Sequence, residues 1–190
     1  SRLDAEFARF AHPGLDPRLV RTGGLSEWLE RIAARAGWRR LAGQIDRLGN
    51  RRFARQIAAS ISSPAPFALW GFNGSALAGF SQAKAQDRVC ILDRTIGDAR
   101  AHNLAMDALQ DRYADWFLPG ERRIPGAVIR DDDREYALAD VILAGSKFAA
   151  ATIAQHAPAH AAKVRVLPYG FDQQLFVAQP APQPLAHGRP

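Results

Sequence analysis

The stretch RDDDREYALADVILAGSKFAAATIAQH, residues 130–156, decides the fold. It holds a helix-length segment (130–139), a run of four apolar residues, VILA (141–144), and a second helix-length segment (147–156) rich in Ala. A strand that is apolar on both faces and lies between two helices belongs in a parallel sheet, because antiparallel strands with one wet face alternate instead. The same unit repeats outward in both directions. VRVL (164–167) follows it, and VCIL (89–92) and FALWGF (67–72) precede it, with helix-length segments at 75–86 and 102–117 between them. Strands alternating with helices predict an α/β fold, a Rossmann-like, doubly wound parallel sheet covered on both sides.

The flanks differ from this core. Residues 26–60 read as helical, with Ser26 as N-cap and Leu29, Ile32, Ala33 and Ala36 at helical spacing. Gly37, Gly43 and Gly49 are expected to break that stretch into pieces. Residues 179–190 carry Pro180, Pro182, Pro184 and Pro190, a linker composition. The chain therefore divides into a basic helical segment (1–60), an α/β core (61–178) and a Pro-rich linker (179–190). Charge follows the same division: residues 1–60 hold 12 Arg against six acids, whereas residues 61–190 balance at 13 and 13, so the whole excess of +6 lies in the first third. A lone cysteine, Cys90, rules out an intramolecular disulfide framework and suits the reducing cytosol.

In an open parallel sheet, ligands bind beyond the carboxyl ends of the strands. Four loops lie there. Gly71-Phe72-Asn73-Gly74-Ser75 offers small residues and a helix amino terminus that favours an anion. The loop that begins Asp93-Arg94-Thr95 and runs to His102 is the most polar of the four, with carboxylate, guanidinium, hydroxyl and imidazole groups that suit a hydroxylated or phosphorylated ligand. Gly145-Ser146-Lys147 again sets a glycine, a capping hydroxyl and a cation at a helix start, and Pro168-Tyr169-Gly170-Phe171-Asp172 closes the set. Asp131, Asp132 and Asp133 read as helix-start acidity. The sequence contains no GxSxG, Walker A or HExxH motif.

REYALADVILAGSKFAAATI (134–153) and KVRVLPYGFDQQLF (163–176) together resemble the end of the amino-terminal domain of family 4 glycosyltransferases, which are retaining enzymes of GT-B fold. Glu135, Ala139, Asp140, Ser146, Phe148, Pro168, Gly170, Asp172 and Phe176 occupy the positions of that family's motif, while Tyr169 stands where it usually has Asn and Phe171 where it has a small aliphatic residue. GFNGSAL and CILDRTIG extend the similarity to residues 67–176.

The resemblance implies an acceptor-side half of a two-domain enzyme that transfers a glycosyl group, with retention, from a nucleotide-diphosphate sugar to an acceptor hydroxyl, lipid-linked or on a polysaccharide. The Glu-x7-Glu motif of the donor half does not occur here, so the resemblance implies a chain inactive alone, with a separate donor domain, no cofactor held by this half and no metal required. Asn73, Gly74, Ser75, Asp93, Arg94, Thr95, His102, Ser146, Lys147, Tyr169, Gly170 and Asp172 would then line the acceptor cleft. His102 stands nine residues after Asp93, near the place of a sugar-contacting histidine in the family. Arg31, Arg35, Arg39, Arg40, Arg51 and Arg55, interleaved with Trp28 and Trp38, form a patch suited to an anionic membrane surface at the inner face. A non-catalytic Rossmann-like module that uses the same arginines on nucleic acid or membrane remains open at this point.

Overall fold

The computed structural model describes residues 14, 16–19, 26–117 and 123–170. Two α-helices precede the sheet, α1 (Ser26–Arg35) and α2 (Arg39–Ile61). The α/β core follows as β1 (Ala68–Phe72), α3 (Leu77–Lys84), β2 (Val89–Arg94), α4 (Ala99–Arg112), α5 (Gly126–Leu138), β3 (Val141–Ala144), α6 (Lys147–His156) and β4 (Val164–Val166). The fold class is the expected one: an α/β fold with a four-stranded, all-parallel sheet flanked by helices, consistent with a Rossmann-like doubly wound arrangement.

The order of the strands adds a detail that periodicity did not show. They lie side by side in chain order, β1-β2-β3-β4, as in one wing of a doubly wound sheet. Parallel crossovers are right-handed, so connections that all advance in one direction place their helices on one face. Burial agrees. Cys90, Leu92, Ile142 and Ala144 point into a core completed by Phe80 and Ala83 of α3, Tyr136 of α5 and Ile153 of α6. The opposite face carries Trp70 and Phe72, 49% and 54% exposed, in rows with Ile91, Asp93, Val141 and Leu143. Among the described residues, then, the sheet is covered on one side, and the expectation of two covered sides is corrected. The strands read as apolar throughout because their outer positions are apolar too, and alternation in burial does not require alternation in polarity.

Two local expectations also change. Gly43 and Gly49 lie inside α2, and the helical stretch breaks at Gly37 alone, whose φ of +79° is costly for any residue with a Cβ. Asp131, Asp132 and Asp133 sit mid-helix in α5, which begins at Gly126, so helix-start charge does not account for them.

The two sheet faces make different predictions. Phe80→Ala, which empties a fully buried site, should cost about 3–5 kcal/mol in urea unfolding. Phe72→Ala on the uncovered face should cost about 1 kcal/mol, half of what full burial of such a side chain contributes.

Candidate functional site

The carboxyl ends of β1 and β2 are organised from below by α5. Glu135, 1% exposed, directs its carboxylate at the start of α3 and accepts the N–H groups of Gly74 (2.9 Å), Ala76 (3.0 Å) and Leu77 (3.1 Å). This helix amino terminus is therefore occupied by a carboxylate from within the protein, and the anion site expected there is already filled. Ser75 donates its hydroxyl to the carbonyl of Phe72 at 3.1 Å and closes the turn, and it does not cap α3. Gly74 takes φ +80° in that turn, and a Cβ on Gly71 would lie 2.8 Å from that of Ala76.

Arg94 is also corrected. It sits at 1% exposure on the helix side of β2, paired with Asp132 at 2.8 Å, bonded to the Gly97 carbonyl at 3.0 Å and held over the Tyr136 ring. Adjacent strand residues face opposite sides. Asp93 therefore faces the open side while Arg94 is locked inside. Around Arg94, Asp98 caps α4 through the Arg100 N–H (2.8 Å) and receives the Tyr136 hydroxyl (3.4 Å), and Arg100 bridges on to Asp133 at 2.5 Å. Burial raises the Tyr136 hydroxyl well above the usual phenol range, so it stays a donor.

What remains on the open side is compact. Asn73 Oδ1 accepts both the N–H (3.0 Å) and the hydroxyl (2.9 Å) of Thr95, and the Asn73 N–H donates to the Asp93 carbonyl (3.1 Å), so the ends of β1 and β2 are stitched together. Because Thr95 N–H needs an acceptor, Oδ1 must face it, and the Asn73 amide nitrogen points away with no hydrogen bond among the described residues. The Asp93 carboxylate accepts the Trp70 indole N–H at 3.3 Å. Beside it opens a shallow cleft of about 270 Å³, floored by Asp93, Leu143 and Gly145 and walled by Leu167, Pro168, Tyr169 and Gly170. The Tyr169 ring packs against Gly145, where an added Cβ would stand 2.5 Å from a ring carbon.

Of the expected site residues, the structure thus gathers Asn73, Asp93, Thr95, Tyr169 and Gly170. Ser146 serves as the N-cap of α6, accepting the Ala149 N–H at 3.1 Å. Lys147 and His102 are exposed on α6 and α4 and do not line the cleft. Asp172 lies outside the described residues. Trp70 was missed, although its i, i+2 relation to Phe72 put both on one strand face; reading FALWGF as buried on both sides hid it.

Comparison of the chain with protein-family models, with curated proteins and with solved structures returns no match.

Glu135 yields a test. Burial pushes its carboxyl above the ordinary glutamate range, against three backbone hydrogen bonds that pull it down. The folded state then holds this proton to higher pH than the unfolded chain does, so its contribution to stability is full below about pH 4.3 and declines as pH rises through the folded-state titration. Glu135→Gln should flatten that decline. Across the pH range the variant should also lose about 1–3 kcal/mol, because its amide nitrogen cannot accept an N–H as either oxygen of the carboxyl group does.

Proposed function

We propose that this chain forms the acceptor-binding wall of a retaining glycosyltransferase, with the cleft at Asp93, Asn73 and Tyr169 holding the acceptor sugar. The observation that carries the reading is the composition of the open edge: one carboxylate and one free amide donor set among the exposed rings of Trp70, Phe72 and Tyr169. A sugar presents hydroxyls around a ring whose faces are C–H surface. Planar polar side chains bind the first, and aromatic rings cover the second. At about 270 Å³ the cleft falls below the roughly 300–1,000 Å³ of drug-sized ligand pockets and suits one ring at a time.

In this reading Asp93 accepts from an acceptor hydroxyl and Asn73 Nδ2 donates to a neighbouring one, which fixes the hydroxyl that faces the donor. The nucleotide-diphosphate sugar and the cations that stabilise its departing diphosphate belong to a second, donor-binding domain, as in the family that residues 134–176 resemble. The site would work on the cytoplasmic side, where nucleotide sugars are made available. A Rossmann-like binding module without catalysis is the alternative, and it predicts no sugar binding at Asp93.

Saturation-transfer NMR with a panel of methyl glycosides decides between them. Binding should be seen with the intact chain and fall about tenfold or more in Asp93→Ala, the loss of a hydrogen bond to a charged group. His102→Ala and Lys147→Ala, outside the cleft, should leave it unchanged. Mixed with UDP-glucose or GDP-mannose and the same glycosides, the 190-residue chain should transfer nothing; turnover would overturn the acceptor-only assignment.

A further inference from the structure

The helical hairpin of α1 and α2 carries a surface that the cleft does not use. Between residues 26 and 61 eight arginines face three acids, Glu27, Glu30 and Asp46. Asp46 lies within hydrogen-bonding reach of the Asn50 amide, and Glu30 is half-buried. At 3.6 residues per turn, Leu41, Leu48, Arg51, Arg52 and Arg55 fall on the side of α2 opposite its buried residues Ala42, Ala54 and Ile61. Exposure confirms the placement: Leu48 is 66% exposed, and Arg40, Arg47, Arg51, Arg52 and Arg55 are all exposed. Trp38, at the turn between the helices, is 62% exposed, and Ile32 with Arg35 continues the pattern onto α1. The Arg39 side chain lies outside the described ones.

We infer that the outer face of this hairpin docks in the plane of an anionic phospholipid bilayer. The combination selects the occupant. Phosphate-rich surfaces of either kind, a nucleic acid backbone or a layer of lipid headgroups, would engage the arginines. Exposed aliphatic side chains gain nothing from a phosphate backbone, where bases stack on aromatic rings, but they enter the boundary between headgroups and acyl chains. Leu41, Leu48 and Ile32 lie among the arginines, and Trp38 is the residue type that settles at that boundary. At 1.5 Å per residue the 23 residues of α2 lie along roughly 34 Å of surface. No helix among the described residues is long and apolar enough to cross a membrane, so the contact is peripheral. This inference stands apart from the sugar cleft and does not need it.

The test is co-sedimentation of the full chain with vesicles of phosphatidylcholine, with and without phosphatidylglycerol. Binding should require phosphatidylglycerol and weaken as salt is raised. The double variant Arg51→Gln/Arg55→Gln should bind about 25-fold more weakly, near fivefold for each arginine at the surface. Leu41→Ser/Leu48→Ser keeps every charge and should also weaken binding severalfold, with circular dichroism confirming that both variants stay helical. No sedimentation at low salt would overturn the inference. So would vesicle binding that is indifferent to the leucine pair, or single-stranded oligonucleotide held more tightly than the vesicles, since either result would make the surface a general phosphate binder.

Discussion

A glutamate carboxylate withdrawn from water at the start of a helix holds the open edge of this sheet in place. Burying an isolated carboxylate costs several kcal/mol, and the cost is offset only where hydrogen-bond donors converge on it. At Glu135 three backbone N–H groups at the start of α3 converge on the carboxyl and offset part of that cost. The helix gains a cap it lacks in its own sequence, since Ala76 at the N-cap position has no side chain to offer. Gly74, Ala76 and Leu77 tie the turn after β1 to α5, and Asn73 just before it is aimed at Thr95. The chain of dependence thus runs from the core outward: α5 fixes the turn, the turn fixes Asn73, and Asn73 fixes the end of β2 beside Asp93.

The other polar residues of α5 work in the same direction. Asp132 neutralises Arg94, Asp133 meets Arg100, and Tyr136 reaches Asp98, so one helix holds the end of β2 and the start of α4 through three side chains. Asp140, next along the chain, binds the Cys90 N–H at 2.7 Å and the Lys84 ammonium at 2.6 Å, joining the starts of β2 and β3 to the end of α3. Burial alone would raise its carboxyl, but the Lys84 and Cys90 hydrogen bonds outweigh that and hold it below the ordinary range. A buried ion pair such as Arg94–Asp132 contributes little net stability over an apolar one, whereas removal of one partner is costly. Such pairs set geometry, and the loop they set carries the candidate site.

How much of this was legible in the sequence follows from which physical signal each feature has. VILA at 141–144 and the helix at 147–156 were read to the residue, because a short apolar run and a Ser cap are local signals. The uncovered face was not, since Trp70, Phe72, Ile91 and Leu143 are as apolar as the residues behind them and only strand order tells the faces apart. The split between Asp93 and Arg94 was implicit in strand alternation, but β2 extends two residues further than VCIL suggested, and the pair was read as loop. Glu135 as a cap for α3 had no local signal at all: donor and acceptor stand about 60 residues apart in the chain.

The motif residues behind the family resemblance can now be sorted by what they touch. Glu135, Asp140 and Ser146 hold a turn, a pair of strand starts and a helix cap, and none of them faces the cleft. Residues that hold a parallel sheet together are reused wherever that sheet is reused, so their agreement argues for the architecture more than for a reaction. The chemistry must be sought where the chain is open: Asp93, Asn73 and Tyr169. Of these, Tyr169 is the position at which the sequence departs from the family pattern, and its ring closes one wall of the cleft against Gly145. An asparagine there would present an amide in place of an aromatic face, so the departure changes the wall of the cleft and leaves the sheet beneath it as it is.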